Sequence, residues 1–303
     1  MMTERADLVA SSPPVAFGGP ILSTIPMFAH LAALALAALM MAPVPALALE
    51  PEFYDVPFAD GQWNIGRRFD ESQLRYCVDS RDPAWEVDGA IADAIAQALL
   101  LEPQRYVVKS DIIVEDITMV YALMLEHCDL HMGFKLIPSG YADWSMLSRA
   151  YYETSYVFVA RDPALHSLSD LPPKRAIGAT GGTSAHLRLV SYLQALPAAS
   201  RWRAFPMGTD QVALDSLMDG TVDVALVWAP SFWSRQRSDP AYADLRVIDP
   251  APLPASTMGV GVLMLSNESF LRTTIDQAIT ALSQDGTIAA ILADQAFPAK
   301  AVP

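Results

Sequence analysis

Cys128 stands between His127 and His131, and a thiol beside an imidazole is the pairing that activates a cysteine nucleophile. His131, however, would alternate with Cys128 along a strand rather than meet it. His127 and His131 are four apart, but the helix before them is expected to end near Cys128, so they share no helical face for a metal. His30, His166 and His186 add no ligand spacing. Asp79, Asp82, Glu86 and Asp88 could hold a hard cation together or form a solvated acidic loop, and they match no calcium-loop pattern. There is no Gly-x-Ser-x-Gly elbow, and the glycines at 181–182 are not followed by the Gly-Lys-Ser/Thr of a phosphate-binding loop. The sequence therefore assigns no catalytic residue, no metal site and no cofactor.

Other residues suit binding. Gly181-Gly182-Thr183-Ser184 opens a helix, where backbone N–H groups and hydroxyls could hold a carboxylate or phosphate. The same residues serve equally well as an ordinary helix cap. Arg149, with Tyr151 and Tyr152, precedes an apolar strand and could meet an anion bidentately beside flat, polar-tipped rings. Packing and salt-bridging at that point is the other reading. Trp85, Trp144, Trp228 and Trp233 are expected in loops after strands. Trp228, at the carboxyl end of an apolar run, is the strongest cleft candidate, and Trp85 joins it as a flat wall, while a place in the core is the alternative for each tryptophan.

The elements that must position these residues alternate. Strands are expected at 74–78, 106–108 and 129–134, with helices at 89–101 and 116–126 between them, where Ile91, Ile95, Ala98 and Leu99 make one apolar face. After a strongly apolar strand at 156–160 a second unit begins, with strands at 175–179, 203–205, 222–228 and 245–248. Its helices run from 184 to about 196 and over 209–219, the second begun by Thr209 and stopped by Gly220. A strand at 258–265 and two final helices return to the first unit. Strand-helix alternation of this kind predicts parallel sheets covered by helices on both faces. The expected organisation is a first lobe at 73–159 and 254–303, a second lobe at 160–253, and a two-strand hinge where the chain crosses twice. Ligands in open parallel sheets bind beyond the carboxyl ends of the strands, which here would face one cleft.

The chain of 303 residues carries 20 basic and 34 acidic side chains, a formal charge of −14, which argues against a general nucleic-acid binder. Residues 21–49 hold no charged side chain, and 31–42 are only Leu, Ala and Met before Pro43-Val44-Pro45-Ala46-Leu47-Ala48. Prolines before a small-x-small triplet suit a secretory signal peptide cleaved after Ala48, with an uncleaved membrane anchor as the alternative. Removing 1–48, which hold one Arg, one Glu and one Asp, leaves 255 residues at −13. Residues 49–72, with scattered aromatics, are expected as an irregular arm. The exported portion reads as soluble and acidic.

This element order resembles the type 2 periplasmic solute-binding proteins (family 3), which include amino-acid receptors of ABC transporters. Within that class three stretches resemble the J-type accessory proteins, MxaJ and XoxJ, found with periplasmic PQQ-dependent methanol dehydrogenases. They are Leu74-Arg75-Tyr76-Cys77-Val78-Asp79, His127-Cys128-Asp129-Leu130-His131-Met132-Gly133 and Ser148-Arg149-Ala150-Tyr151-Tyr152 running on to Tyr156-Val157-Phe158-Val159. Ile177-Gly178 with Gly182-Thr183, and the stretch from Val222 to Pro230, extend the likeness over roughly residues 73–295.

The resemblance implies a doubly crossed two-lobed α/β fold with parallel-dominated sheets, and a periplasmic protein without enzymatic activity. It implies neighbouring first and third strands, hence a Cys77–Cys128 disulfide that an oxidising compartment would preserve. The implied partner is a PQQ-dependent dehydrogenase, whose maturation the protein would assist. The alternative is a monomeric receptor that passes a small solute to an ABC permease. The ligand or partner cleft expected from the residues themselves is lined by Trp85, Arg149, Tyr152, Gly182, Thr183, Ser184 and Trp228. Amino-acid receptors place a carboxylate-binding arginine in the loop after the third strand and an aspartate after the late strand of lobe two. Here those places read Lys135-Leu136-Ile137-Pro138-Ser139 and Trp228-Ala229-Pro230, so a free amino acid is a poor fit.

Overall fold

A computed structural model describes residues 72–109 and 117–303, all within one compact unit spanning residues 67–303. The expected leader (1–48) and all but the last residue of the expected arm (49–72) lie outside the described residues, as does the start of the helix expected at 116.

The first half-sheet holds β1 (Gln73–Asp79), α1 (Trp85–Ala98), β2 (Glu102–Val108), α2 (Ile117–Glu126), β3 (Leu130–Lys135) and the short β4 (Ser145–Leu147). Both β2 and β3 pair with β1 in parallel. The chain then crosses along β5 (Tyr152–Ala160) into β6 (Ala176–Thr180), α3 (Ser184–Ala195), β7 (Arg203–Met207), α4 (Asp210–Met218), β8 (Val224–Trp228), α5 (Ala229–Ser238) and β9 (Arg246–Ile248). Here β6 pairs in parallel with β7 and with β8. The return strand is β10 (Ser256–Leu265), followed by α6 (Ser269–Gln284), α7 (Thr287–Asp294) and β11 (Lys300–Ala301). The strands join in one mixed sheet of order β2-β1-β3-β10-β5-β8-β6-β7.

The expectation of parallel-dominated sheets needs correction. Each half is parallel, but both are welded to the crossover strands by antiparallel ladders, β10 on β3 and β5, and β5 on β8 and β9. Two segments that carry the chain out and back must run in opposite directions where they lie side by side. The fold is bilobed and the sheet is mixed.

Local chemistry explains the elements. Helix α1 buries Val87, Ile91, Ala92, Ile95 and Ala96 at helical spacing, and Asp88 falls on that same buried face. It begins at Trp85, four residues before the expected start, with Glu86 and Asp88 in the first turn complementing the helix dipole. Thr209 caps α4 by accepting the Val212 N–H, and Gly220 takes a left-handed φ of +80° just beyond the helix. Sequence reading missed α5, and so placed Trp233 in a loop. Pro230 is tolerated in its first turn, where no intrahelical N–H partner is required, and Arg235 and Arg237 face the negative end. One large apolar cluster runs through both halves, from Tyr76 and Ile91 to Leu189 and Ile248, so the core does not stop at the crossing.

Cys77 and Cys128 form a disulfide with Cα atoms 5.6 Å apart. Cys128 sits in the turn before β3 rather than in the strand, and Leu263 and Met124 bury the bridge. The bridge closes a separation of 51 residues, for which chain entropy gives about 4 kcal/mol. Thiol reduction is therefore expected to lower the unfolding free energy by about 4 kcal/mol in urea titrations. An unchanged midpoint would show that the bridge is absent.

Candidate ligand-binding cleft

A cleft of about 590 Å³ opens at the carboxyl ends of the strands, between the two halves. From the first half come the loop after β1, with Asp82 and Pro83, then Trp85 at the start of α1 and Lys135 at the end of β3. From the second come Thr180 and Thr183, the β7–α4 turn with Thr209 and Asp210, and Ser231, Ser234 and Arg235 of α5. Tyr156 on the crossover strand forms the floor.

Asp210 organises the second wall. It stands in the first turn of α4, and its carboxylate accepts hydrogen bonds from the Thr180 hydroxyl, from the Trp228 N–H at 3.2 Å and from the Ser231 hydroxyl at 2.7 Å. The ends of β6 and β8 and the start of α5 are thus tied to one anion, whose charge three donors and a helix N-terminus already satisfy.

The first wall carries more acid. Burial pushes the Asp79 carboxyl up, but the hydrogen bonds and charge of Arg81 outweigh it and hold Asp79 below its ordinary value. Asp82 accepts the Ala84 N–H at 2.8 Å, starting α1, and desolvation raises its proton affinity. Below it Asp88 is fully enclosed, and among the described residues it makes no ion pair. It accepts a hydrogen bond from the Tyr151 hydroxyl at 2.9 Å, and the nearby Tyr152 hydroxyl also favours its charged form. Burial first, and then the charge of Asp82, push the Asp88 carboxyl well above its usual range. Both carboxylates meet over Gly133, where a side-chain Cβ would stand 2.9 Å from Asp88 Oδ2 and 3.5 Å from Asp82 Oδ2. Gly133 also takes φ +86° at the point where the β3–β10 ladder slips register, so both space and backbone demand glycine.

Lys135 supplies the cleft's contrast. Its ammonium lies 4.3 Å from the Trp228 ring centre and 5.2 Å from that of Tyr156, and it donates to the Tyr156 hydroxyl at 3.2 Å. The two rings pack on each other with centres 4.8 Å apart.

The sequence-chosen residues do not all gather here. Trp85 and Thr183 line the cleft, the latter with its hydroxyl occupied in capping α3 through the His186 N–H. Trp228 is 95% enclosed and acts as the wall behind Lys135. Gly182 and Ser184 lie outside the lining, Gly182 in the left-handed turn before the cap and Ser184 as the exposed first residue of α3. Arg149 faces elsewhere: its guanidinium bonds to Thr280 and the Pro303 carbonyl, and its N–H to Asp276 at 2.7 Å. Tyr152 is buried under Phe297 and beside Tyr151. Lys135, Tyr156 and Asp210 had no role in the sequence-based cleft. The only signal for Asp210 was the Thr209-Asp210 helix start.

No protein-family model and no curated protein sequence matches the chain. Solved structures do. A probable amino-acid ABC transporter extracellular-binding protein from Bacillus subtilis superposes with a TM-score of 0.58 at 11% identity, covering 75% of this chain and 99% of that one. The second substrate-binding domain of a putative amino-acid ABC transporter from Streptococcus pneumoniae gives 0.56 at 15%, covering 74% and 99%. A histidine kinase sensor domain with similarity to periplasmic binding proteins gives 0.53 at 16%, covering 75% and 97%. The chain thus has the bilobed fold of these binding proteins, a likeness shared with the class at large rather than with the J-type proteins in particular.

Because the folded state raises the Asp88 carboxyl, the stability tied to its proton is complete below the unfolded carboxylate value of about 3.9 and is lost as pH rises through the folded value. Denaturation midpoints should fall over that window in the wild type. Asp88→Asn, which keeps an acceptor for the tyrosines and stays neutral, should flatten the profile and surpass the wild type at about pH 8. A variant with the wild-type slope would exclude Asp88 as the source.

Proposed function

We propose that the protein is a non-enzymatic solute-binding protein acting outside the cytoplasmic membrane, which holds a small polar solute between its lobes and presents it to an ABC-type permease. The observation that carries this is the cleft itself: polar groups of both lobes converge on a crossover-strand floor, at the place where open α/β sheets bind ligands. The fold supports it, since solved neighbours with this architecture are described as transporter binding proteins and a sensor domain. Among the described residues no group of three or more His, Cys, Asp or Glu side chains is placed to hold a metal ion.

A second reading is that the protein assists a PQQ-dependent dehydrogenase. Its favouring observation is that the disulfide links the two cysteine-bearing stretches, 74–79 and 127–133, that carry the J-type resemblance. That reading anticipates a poorly furnished cleft and an exposed apolar docking patch. The cleft is polar instead, and Leu100 and Phe270, the most exposed large apolar side chains among the described residues, sit just after α1 and in the first turn of α6. Solute binding is therefore the main reading.

Protein stripped of ligand by unfolding and refolding, then screened against a solute panel, is expected to unfold at higher temperature with one chemical class. Saturation at a hundred times Kd adds about 2.7 kcal/mol. Absence of any small-solute effect, together with co-purification of a quinoprotein whose activity needs this chain, would overturn the proposal in favour of the second reading.

A further inference from the structure

Among the described residues, four of the five charged side chains on the cleft lining have an opposite charge or hydrogen-bond partners supplied by the protein. Arg81 is paired with Asp79, and Arg235 with Asp215 and with the Tyr242 hydroxyl. Asp210 has its three donors. Asp82 accepts the Ala84 N–H and lies beside Asp88, in surroundings that favour a proton. Lys135 differs. An ammonium carries three donors, and its one hydrogen bond among the described residues goes to Tyr156 Oη. Among the described residues no ion pair within 4 Å is formed by it, although its charge reaches the Asp82 carboxyl and offsets part of the burial there; aromatic faces hold it in place.

This arrangement has a consequence for ligand charge. Aromatic faces beside a cleft are the usual receptacle for a ligand's ammonium group. Here the Trp228 and Tyr156 faces are already taken by the protein's own cation, on a strand end that also lines the cleft. Holding the stem against the two rings reduces the rotamer entropy that a free lysine would lose on binding. Two N–H donors are left over. The carbon skeleton of a ligand would find Pro83, Trp85 and Leu214 on the same lining.

We propose that the cleft takes a small monocarboxylate without an ammonium group, bound through the ammonium of Lys135. This rests on the solute-binding reading and names its ligand class. One uncompensated cation balances one negative charge. A phosphate dianion would leave charge unmatched beside Asp210, and both arginines of the lining are already paired with carboxylates. A zwitterionic amino acid would bring an ammonium for which the lining offers Asp210, already saturated, Asp82, in surroundings that favour its proton, and two aromatic faces already taken by Lys135.

The test is calorimetric titration of ligand-stripped protein with lactate, benzoate and phenylacetate, with the matching amides, with alanine and phenylalanine, and with inorganic phosphate. The expected result is binding of at least one monocarboxylate, with its amide and its amino-acid counterpart weaker by about 10- to 100-fold. Lys135→Gln should lose the same factor and Lys135→Arg should recover part of it, while Arg188→Gln, on the exposed face of α3, should match the wild type. Tight binding of an amino acid, an amide or phosphate, or wild-type affinity in Lys135→Gln, would overturn this assignment and leave the solute-binding reading standing. Failure of every solute of every charge would overturn both.

Discussion

At Tyr156 the crossover strand changes partners. Residues 152–156 of β5 pair with β10, and residues 156–160 pair with β8, so that one residue faces Ser256 on one side and Trp228 on the other. The two half-sheets meet at this exchange, and most of what distinguishes the cleft is positioned from it. The Tyr156 ring packs on Trp228, its hydroxyl receives Lys135, and its backbone sets the spacing between the end of β3 and the end of β8. Antiparallel pairing at the centre of an otherwise parallel arrangement follows from a chain that leaves one lobe and must come back.

The chemistry around that point follows an electrostatic rule: charges near a partly dry cavity are costly unless matched. The wall meets the rule in three ways. Asp210 is matched by dipoles, Arg81 and Arg235 by carboxylates, and Asp88 by tyrosine hydroxyls and an affinity for protons. Gly133 makes the last arrangement sterically feasible, since any side chain there would enter the space where Asp82 and Asp88 meet. A formal charge of −14 over the whole chain thus says little about the cleft, where acids are neutralised locally.

Much of the scaffold was legible because it is written in local patterns. The apolar run 156–160, the alternation of strands and helices, and the Thr209 cap depend on neighbours in sequence, and the structure has elements at each. The pairing of the two cysteines was implied by the family resemblance, through the neighbouring first and third strands it brings. Helix α5 was missed because its sequence, Ala229-Pro230 followed by polar residues, has a weak apolar stripe and owes its burial to Phe232 packing with Leu214 and Tyr242. The cleft was the least legible part. Arg149 has the chemistry of an anion clamp, but Asp276, Thr280 and the C-terminal carbonyl, all more than a hundred residues away in sequence, claim it. Lys135 looked like a missing arginine, and only the approach of β8 to β3 shows what surrounds its ammonium. Side-chain roles set by long-range contacts leave no periodic trace.

The disulfide can be seen in mechanical terms. Cys77 and Cys128 belong to the same half of the molecule, so their bond spans β1 and the approach to β3 without touching β5, β8 or anything beyond the crossing. In a two-jawed clamp it acts as a rivet through one jaw, stiffening the frame that carries Asp82 and Lys135. Strain applied to the strands of the opposite half would reach it only through the sheet. Loss of the rivet would loosen that frame and leave the far half as it is.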